Sequence, residues 1–397
     1  MHPADDIRGI KSTRLFQKRI ILGVTGSIAA VESVKLAREL IRHGAEVFPV
    51  MTSSATRIIH PDALEFATSN KPIIALTGKT EHVFYCGLVP DPVDAVLISP
   101  CTANTLSKIT YGIDDTPVTT FASTAIGSKI PLILVPAMHL SMYRHATIQN
   151  NIVQLKKMGI TILEPNILGK KAKMPSTDQI LSYTMRHVGT HDYDTKRVLI
   201  IGGATAEPID TIRILTNRSS GRTAILLAQE AFFRGADVEL WHGQMKEVPP
   251  SFINTQQFET LADLIHMIKK RKVTFDYIIV CAALADYIPN TYNGKIASGK
   301  KQLTITCKPA PKIIEYIRKK APKATLVAFK AEYQEKDLKK KGKELLKKHG
   351  LDYVIGNGIS AFGSTKNNIL LIDKNRTISQ KKGKKEVIAT YIFDTLC

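Results

Sequence analysis

Apolar and polar positions along this chain follow one repeated order: a short continuous apolar run, a turn of small residues, then a stretch with helical period. The run RIILGV, Arg19 to Val24, leads into Gly26 and Ser27. The segment VESVKLARELIR follows with apolar positions three and four apart, and Gly44 closes it before a second run, EVFPVM. The same order returns in KRVLIIGGATAEPIDTIRILTNRSSGRTAILLAQEAFFRGADVELWHG, with a long insertion between Gly203 and the helix. Apolar runs of strand length separated by helical periods predict parallel strands buried on both faces, with helices packed on each face. The expected fold class is α/β, with two doubly wound Rossmann-like parallel-sheet domains spanning 1–190 and 191–397. The polar stretch MRHVGTHDYDTKR, Met185 to Arg197, reads as the linker between them.

Such sheets bind ligands at the carboxyl ends of their strands, so the residues just after each apolar run hold the interest. Gly26 and Ser27 set a glycine and a hydroxyl at a helix start, where free N–H groups favour an anion. The next run ends in Met51-Thr52-Ser53-Ser54, with hydroxyls where a dinucleotide fold would place a carboxylate for a ribose. That argues against NAD and suits a single phosphate. A third run, DAVLISP, passes through Ser99 into Cys101-Thr102-Ala103-Asn104-Thr105, and PLILV delivers PAMHLSMYRH, Pro136 to His145. His82 stands alone in KTEHVFY and reads equally as a surface helix residue.

The second half offers four clusters. Glu207-Pro208-Ile209-Asp210 and Asn217-Arg218-Ser219-Ser220-Gly221 precede a helix, where backbone N–H groups and hydroxyls suit a phosphate. IIVCAALADY carries Asp286 beyond a strand, in reach of a ribose or a magnesium-bound phosphate. Lys295 and Lys308 lie on a loop and a short strand. ATLVAFKAEY leads into a lysine-rich helix. Each cluster alone has a structural reading as a cap, a turn or a surface loop; their recurrence at successive strand ends favours a phosphate-handling site.

Composition narrows the picture. The 397 residues are 44% apolar, and the five cysteines are scattered, which speaks against a disulfide framework and for a reducing, cytoplasmic setting. No apolar run approaches the ~20 residues needed to cross a bilayer, and the first residues lack the pattern of a secretory signal. The net charge of +20 has three readings: solvated helix faces, a nucleic-acid surface, or multiply phosphorylated small substrates. The lysine runs lack interleaved aromatics and match no nucleic-acid motif, which favours the third.

GSIAA, SPCTANT and PAMHLSMY occur here in the order found in the flavin-containing cysteine decarboxylases, and residues 19–190 resemble that flavodoxin-like family. The resemblance implies FMN at the strand ends, held by Gly26, Ser27, Ile28, Ser53, Ser99, Thr102, Asn104 and Met138. It makes His82 the catalytic histidine, and an imidazole suits the proton transfer. His139 stands where the family usually has Asn and is expected to touch the substrate carboxylate. Members that make a saturated thiol carry a flap cysteine. The corresponding EPNILGKKAKMPS, Glu164 to Ser176, has none, which leaves Lys170, Lys171, Lys173, Cys86 or Cys101 as alternatives.

The second half resembles phosphopantothenate–cysteine ligases through GGATAEPID, NRSSG, AALADY, GKI and FGSTKNN, over roughly 196–375. This resemblance implies CTP and Mg²⁺, an acyl-cytidylate on which Asn217 acts, and Lys295 stabilising charge during activation. It implies nucleotide contacts from Ala282, Asp286, Lys308, Pro311, Lys312, Ile313 and Phe329, and a triphosphate held by Lys343 and Lys347. No metal ligand is assigned. The two halves together are similar to bifunctional coenzyme A biosynthesis flavoproteins, whose substrates are 4′-phosphopantothenate, cysteine and CTP. The same resemblance implies a homo-oligomer with trimeric decarboxylase and dimeric ligase contacts. A ligase with an altered first half, or another flavin enzyme of that superfamily, remain alternatives, as does a basic nucleic-acid-binding protein.

Overall fold

A computed structural model describes residues 2–168, 171–270, 274–299, 301–332, 334–358, 365–375 and 377–396. The chain forms two compact units, Met1–Gly189 and Thr190–Cys397.

In the first unit, strands β1 (Arg19–Val24), β2 (Glu46–Met51), β3 (Ala95–Cys101), β4 (Leu132–Pro136) and β5 (Thr161–Ile162) form a parallel sheet in the order β2-β1-β3-β4-β5. That is the flavodoxin-like order, whose reversal point lies between β1 and β3. β3 and β4 are buried at every position, as the unbroken apolar runs require of central parallel strands. Helices Ser33–Arg42, Ala103–Thr110, Pro117–Gly127 and Ala146–Lys157 cover the sheet. A small antiparallel hairpin, β6 (Asn166–Leu168) with β7 (Lys171–Lys173), follows β5.

The second unit builds an eight-stranded sheet. Its strands are β8 (Arg197–Gly202), β11 (Asp237–His242), β12 (Asn254–Gln257), β13 (Tyr277–Val280), β16 (Thr325–Glu332), β17 (Tyr353–Gly358), β18 (Lys366–Asp373) and β19 (Ile378–Lys384). The order is β12-β11-β8-β13-β16-β17-β18-β19, parallel through β17 and antiparallel beyond it. The six parallel strands repeat the dinucleotide-fold order 3-2-1-4-5-6, with the reversal between β8 and β13. Two short hairpins stand outside this sheet: β9 (Ala206–Pro208) with β10 (Ile214–Thr216), and β14 (Tyr287–Pro289) with β15 (Cys307–Pro309). The first hairpin accounts for the insertion after Gly203.

The stretch 185–197, read as the linker, contains the boundary between the units at Gly189, but its two ends belong to regular elements. Met185, Arg186 and His187 end the helix Thr177–His187, and Tyr193 is fully buried, its hydroxyl donating to the Phe393 carbonyl at 3.0 Å. One aromatic in a polar run is enough to dock it. Nearby, Arg234 donates to Glu230 and Asp192 at 2.8 and 2.9 Å, and also pairs with Asp394. The Glu230 side chain is only 2% exposed. Arg234→Ala therefore leaves the buried Glu230 carboxylate without this cation, with Thr390 still donating to it, and is expected to lower the stability of this unit by about 3 kcal/mol. Denaturant unfolding of wild type and variant measures it.

Candidate active sites

In the first unit the ends of β1 and β3 are tied by a buried hydroxyl. Thr25 Oγ1 donates to the Pro100 carbonyl at 2.8 Å and accepts from the Thr102 N–H at 3.0 Å. Ser33 Oγ reaches the Ser99 carbonyl at 3.1 Å, so the helix after β1 is fastened to the same strand end. Thr25 is a residue the sequence reading missed. Its only signal was a hydroxyl between an apolar run and a glycine.

Gly26 is required by close approach, not by its dihedral angles: a Cβ there would lie 2.4 Å from Ser54 Cβ. The loops after β1 and β2 thus touch, and only glycine lets them. Ser27 caps a 3-10 turn, Ile28–Glu32, by accepting from Ala29 N–H at 3.4 Å. The α-helix itself begins at Ser33, which corrects the expectation of a helix directly after Ser27. Ile28 is 78% exposed. After β2 the cap is Thr52, which accepts from Ala55 N–H, and Ser53 stands exposed in the first turn. Thr102 caps Ala103–Thr110, with Asn104 exposed in its first turn. Gly26→Val is expected to push the β2 loop away and empty the site of flavin. The absorbance of the purified variant near the flavin band, compared with wild type, reads this out.

β4 delivers Met138, half-buried against the core, and His139, exposed and capping Leu140–Tyr143. His139 Nδ1 accepts from Ser141 N–H at 3.3 Å and lies 2.8 Å from the Ser141 hydroxyl. A ring nitrogen that accepts from a backbone N–H leaves the proton of the neutral imidazole on Nε2, so His139 presents a donor outward. The chain returns beside β2 through an Ile73–Val50 bridge, turns over Thr77–Thr80, and descends in the helix Glu81–Cys86. His82 is therefore at the carboxyl-end side of the sheet. Its Nδ1 is buried with no hydrogen-bond partner among the described residues.

Ser99 Oγ also lies 3.8 Å from Met174 Sδ, which brings the end of the β6–β7 hairpin back over β3. Lys170 lies outside the described residues, and Lys173 is exposed. Cys86 and Cys101 are core residues. Both are fully buried, and burial pushes the Cys86 thiol up to about 12 and raises that of Cys101 further still.

The second unit assembles its strand ends in the same way. Thr205 Oγ1 accepts from Ala285 N–H at 3.0 Å, Ala283 N–H donates to Gly203 O at 2.8 Å, and Thr216 Oγ1 donates to Thr205 O at 2.7 Å. Gly203 has φ +74 and a Cβ on it would meet the Gly243 backbone at 2.9 Å. Thr205, buried and unpredicted, is the counterpart of Thr25. Asn217 Nδ2 donates to the carbonyls of Ala283 and Leu284 at 3.2 and 3.1 Å, which brings Asn217 to the loop of Ala282 and Asp286. The Ser219 and Ser220 hydroxyls already accept from Gly221 and Arg222 N–H groups.

Asp286 is exposed and paired with Lys312 at 2.7 Å; Lys312 and Pro311 precede the helix Ile313–Lys320, and Ile313 is buried at its start. Lys308 pairs with Ile288 in the β14–β15 hairpin. Phe329 lies in β16, half-buried beside a small cavity shared with Thr223, Leu227 and Lys385. Lys295 is exposed on its loop. Lys343 and Lys347 belong to the helix Glu335–His349. A rise of 1.5 Å per residue carries them roughly 12 and 18 Å from its start, away from the strand ends. Lys341, on the same helix, pairs with Glu332 at the end of β16 at 3.0 Å. Of the FGSTKNN segment, Phe362, Gly363 and Ser364 lie outside the described residues. Among the described residues no cluster of His, Cys, Asp or Glu could hold a metal ion, and no helix is long and apolar enough to cross a membrane.

Comparison with known proteins decides the family. Residues 8–189 match the family described as Flavoprotein, and residues 193–397 match the DNA/pantothenate metabolism flavoprotein C-terminal domain. The coenzyme A biosynthesis bifunctional protein CoaBC of Thermococcus kodakarensis is 41% identical over 402 residues, covering 100% of this chain and 99% of that one. The chain belongs to this bifunctional flavoprotein family. The protein of the same name from Methanocaldococcus jannaschii is 36% identical, covering 98% of this chain and 95% of its own. Among solved structures, a DNA/pantothenate metabolism flavoprotein of Streptococcus pneumoniae is 22% identical over 51% of this chain and 98% of that one, with a TM-score of 0.46.

The residues of the first unit fit the flavin that membership in this family implies. Small residues pack closely at the ends of β1 and β2, the Ser53 hydroxyl and Asn104 amide stand exposed at strand ends, and the buried His82 Nδ1 lacks a partner among the described residues.

Proposed function

We propose that this protein is a bifunctional enzyme of coenzyme A biosynthesis. Its second unit joins cysteine to 4′-phosphopantothenate with CTP and Mg²⁺, and its first unit decarboxylates the product with FMN. The observation that supports this most is full-length membership of one family across both units, each with small polar residues converging at its sheet reversal point.

In the ligase, the substrate carboxylate attacks the α-phosphate of CTP, pyrophosphate leaves, and the cysteine amine then displaces CMP from the acyl-cytidylate. Lys295 supplies positive charge as the phosphate becomes more anionic. Asn217, pinned through its amide N–H₂, turns its carbonyl oxygen away from Ala283 and Leu284, free to accept from the incoming amine. Ala282, Asp286, Lys308, Pro311, Lys312, Ile313 and Phe329 surround the nucleotide, and Asp286 exchanges Lys312 for a magnesium-bound phosphate or a ribose. Lys343 and Lys347 hold phosphates only if the triphosphate reaches along the helix. The excess basicity of the chain serves these polyanionic small molecules.

In the decarboxylase, Gly26, Ser27, Ile28, Ser53, Ser99, Thr102, Asn104 and Met138 would hold FMN. When bound, the flavin supplies a two-electron acceptor for the cysteinyl thiol, which makes loss of carbon dioxide easy. His139 Nε2–H donates to the substrate carboxylate, and His82 takes the thiol proton. Exposed apolar residues support a homo-oligomer: Phe84 and Leu88 (62% and 91% exposed) on the first unit, Ile212 (65%) on the second. We place the enzyme in the cytoplasm.

The test is mass spectrometry of products from 4′-phosphopantothenate, cysteine, CTP and Mg²⁺. Formation of 4′-phosphopantetheine supports both halves, and chelation by EDTA should stop ligation alone. The β6–β7 hairpin has no cysteine, which favours a second reading with a ligase and an altered decarboxylase half. A reaction that stops at phosphopantothenoylcysteine, or releases an unreduced enethiol, selects it.

A further inference from the structure

The Asp210 carboxylate accepts four hydrogen bonds, and no sequence signal gave it a role beyond a motif letter. Its side chain is 0% exposed. It accepts from Ile212 N–H at 2.8 Å, Arg213 N–H at 2.7 Å and Ile296 N–H at 3.0 Å, and from the Arg213 guanidinium. Burial opposes its ionisation, yet these donors hold its carboxyl far below the usual carboxylate range.

What matters is where the donors come from. Ile296 immediately follows Lys295. The Arg213 guanidinium bonds Asp210 and also donates to the Ile296 carbonyl at 3.3 Å, so both backbone groups of Ile296 are held. Thr211 N–H donates to Gly294 O at 3.4 Å and Tyr292 N–H to Ile209 O at 2.9 Å. Gly294, with φ +95, reverses the chain so that Ile296 is buried and Lys295 projects outward. On the other side, Arg213 runs directly into β10, which ends at Thr216 beside Asn217. Thr216 and Asn217 are in turn bonded to Thr205, Ala283 and Leu284 at the strand ends. The segment carrying Asn217 and the loop carrying Lys295 therefore meet at one carboxylate.

We propose that Asp210 is a positioning residue for ligation, fixing the Lys295 loop to the segment that carries Asn217 so that both side chains address the same reacting carboxyl. This rests on the reading of Lys295 as the activating cation. A carboxylate serving stability alone could take its donors from any neighbouring element. Here its partners among the described residues come from the two segments that carry the proposed catalytic side chains.

A double-mutant cycle on the full-length enzyme tests it, reading pyrophosphate release from CTP and 4′-phosphopantothenate before cysteine is added. Asp210→Asn keeps the shape and removes the charge. It is expected to lower the single-turnover rate of pyrophosphate release by about 100-fold with the half-saturating CTP concentration unchanged, the scale of a misplaced catalytic group. In the Lys295→Ala background the same substitution should cause no further loss. Additive losses in the double variant, or a slow Lys295→Ala beside an unaffected Asp210→Asn, overturn the proposal alone. Wild-type pyrophosphate release from Lys295→Ala overturns the reading of Lys295 itself, and the proposal with it. Thermal midpoints establish that each variant is folded. If Asp210→Asn does not fold, Arg213→Gln keeps the backbone hydrogen bonds and removes only the guanidinium arm. The same cycle then expects a smaller loss, again absent in the Lys295→Ala background.

Discussion

Lys295→Ala is expected to slow ligation, with pyrophosphate release from CTP falling by about 10²–10³, the range for losing one preorganised charge-stabilising group. The loop is held at Gly294 and Ile296 while the Lys295 side chain has no hydrogen bond or ion pair among the described residues. Removing it leaves no partner stranded, so the fold and the thermal midpoint should not change. Lys295→Arg should recover little, because a planar fork on a loop fixed at both flanks does not put its charge where an ammonium would. The second site lies in a different compact unit, so decarboxylation of supplied phosphopantothenoylcysteine should continue. Pyrophosphate release at the wild-type rate would sink the assignment.

How much of this could be read in advance divides along a physical line. β3, β4 and β8 were legible because central parallel strands are apolar on both faces and need no partner to be recognised. The small residues at their ends were legible for the same reason: they interrupt such runs. The groups that lock those ends were not. Thr25 and Thr205 each bond residues about 75 to 80 positions away, a distance that no local pattern encodes. Asp210 was visible as part of a motif, but its work depends on Ile296, 86 residues on. Tyr193 was lost in a polar run because one anchoring aromatic has no period. The lysine helix shows the opposite limit. Its lysine-rich composition was clear, yet which lysines lie near the strand ends depends on where the helix starts, at Glu335, and on how Leu338 packs against Gly356.

The first unit yields the other large effect. His82→Asn should slow decarboxylation by about 10²–10⁴, the usual contribution of a positioned acid–base group. The flavin should stay bound and pyrophosphate release from CTP should be unaffected. The reasoning begins from cost. A buried ring nitrogen without a partner is unfavourable by roughly 1–3 kcal/mol, and His82 Nδ1 is in that state among the described residues. A histidine kept only for packing would be expected to satisfy that nitrogen or to point it at water. Asparagine sets a non-basic amide group where Nδ1 lies and keeps much of the packing, so it separates packing from proton transfer. If His82 acts on the thiol proton, the loss falls in kcat with the KM for phosphopantothenoylcysteine little changed. If the histidine only fills space, kcat is preserved. A variant that lost its flavin would show His82 to be part of the cofactor cradle and would remove it from the role of base.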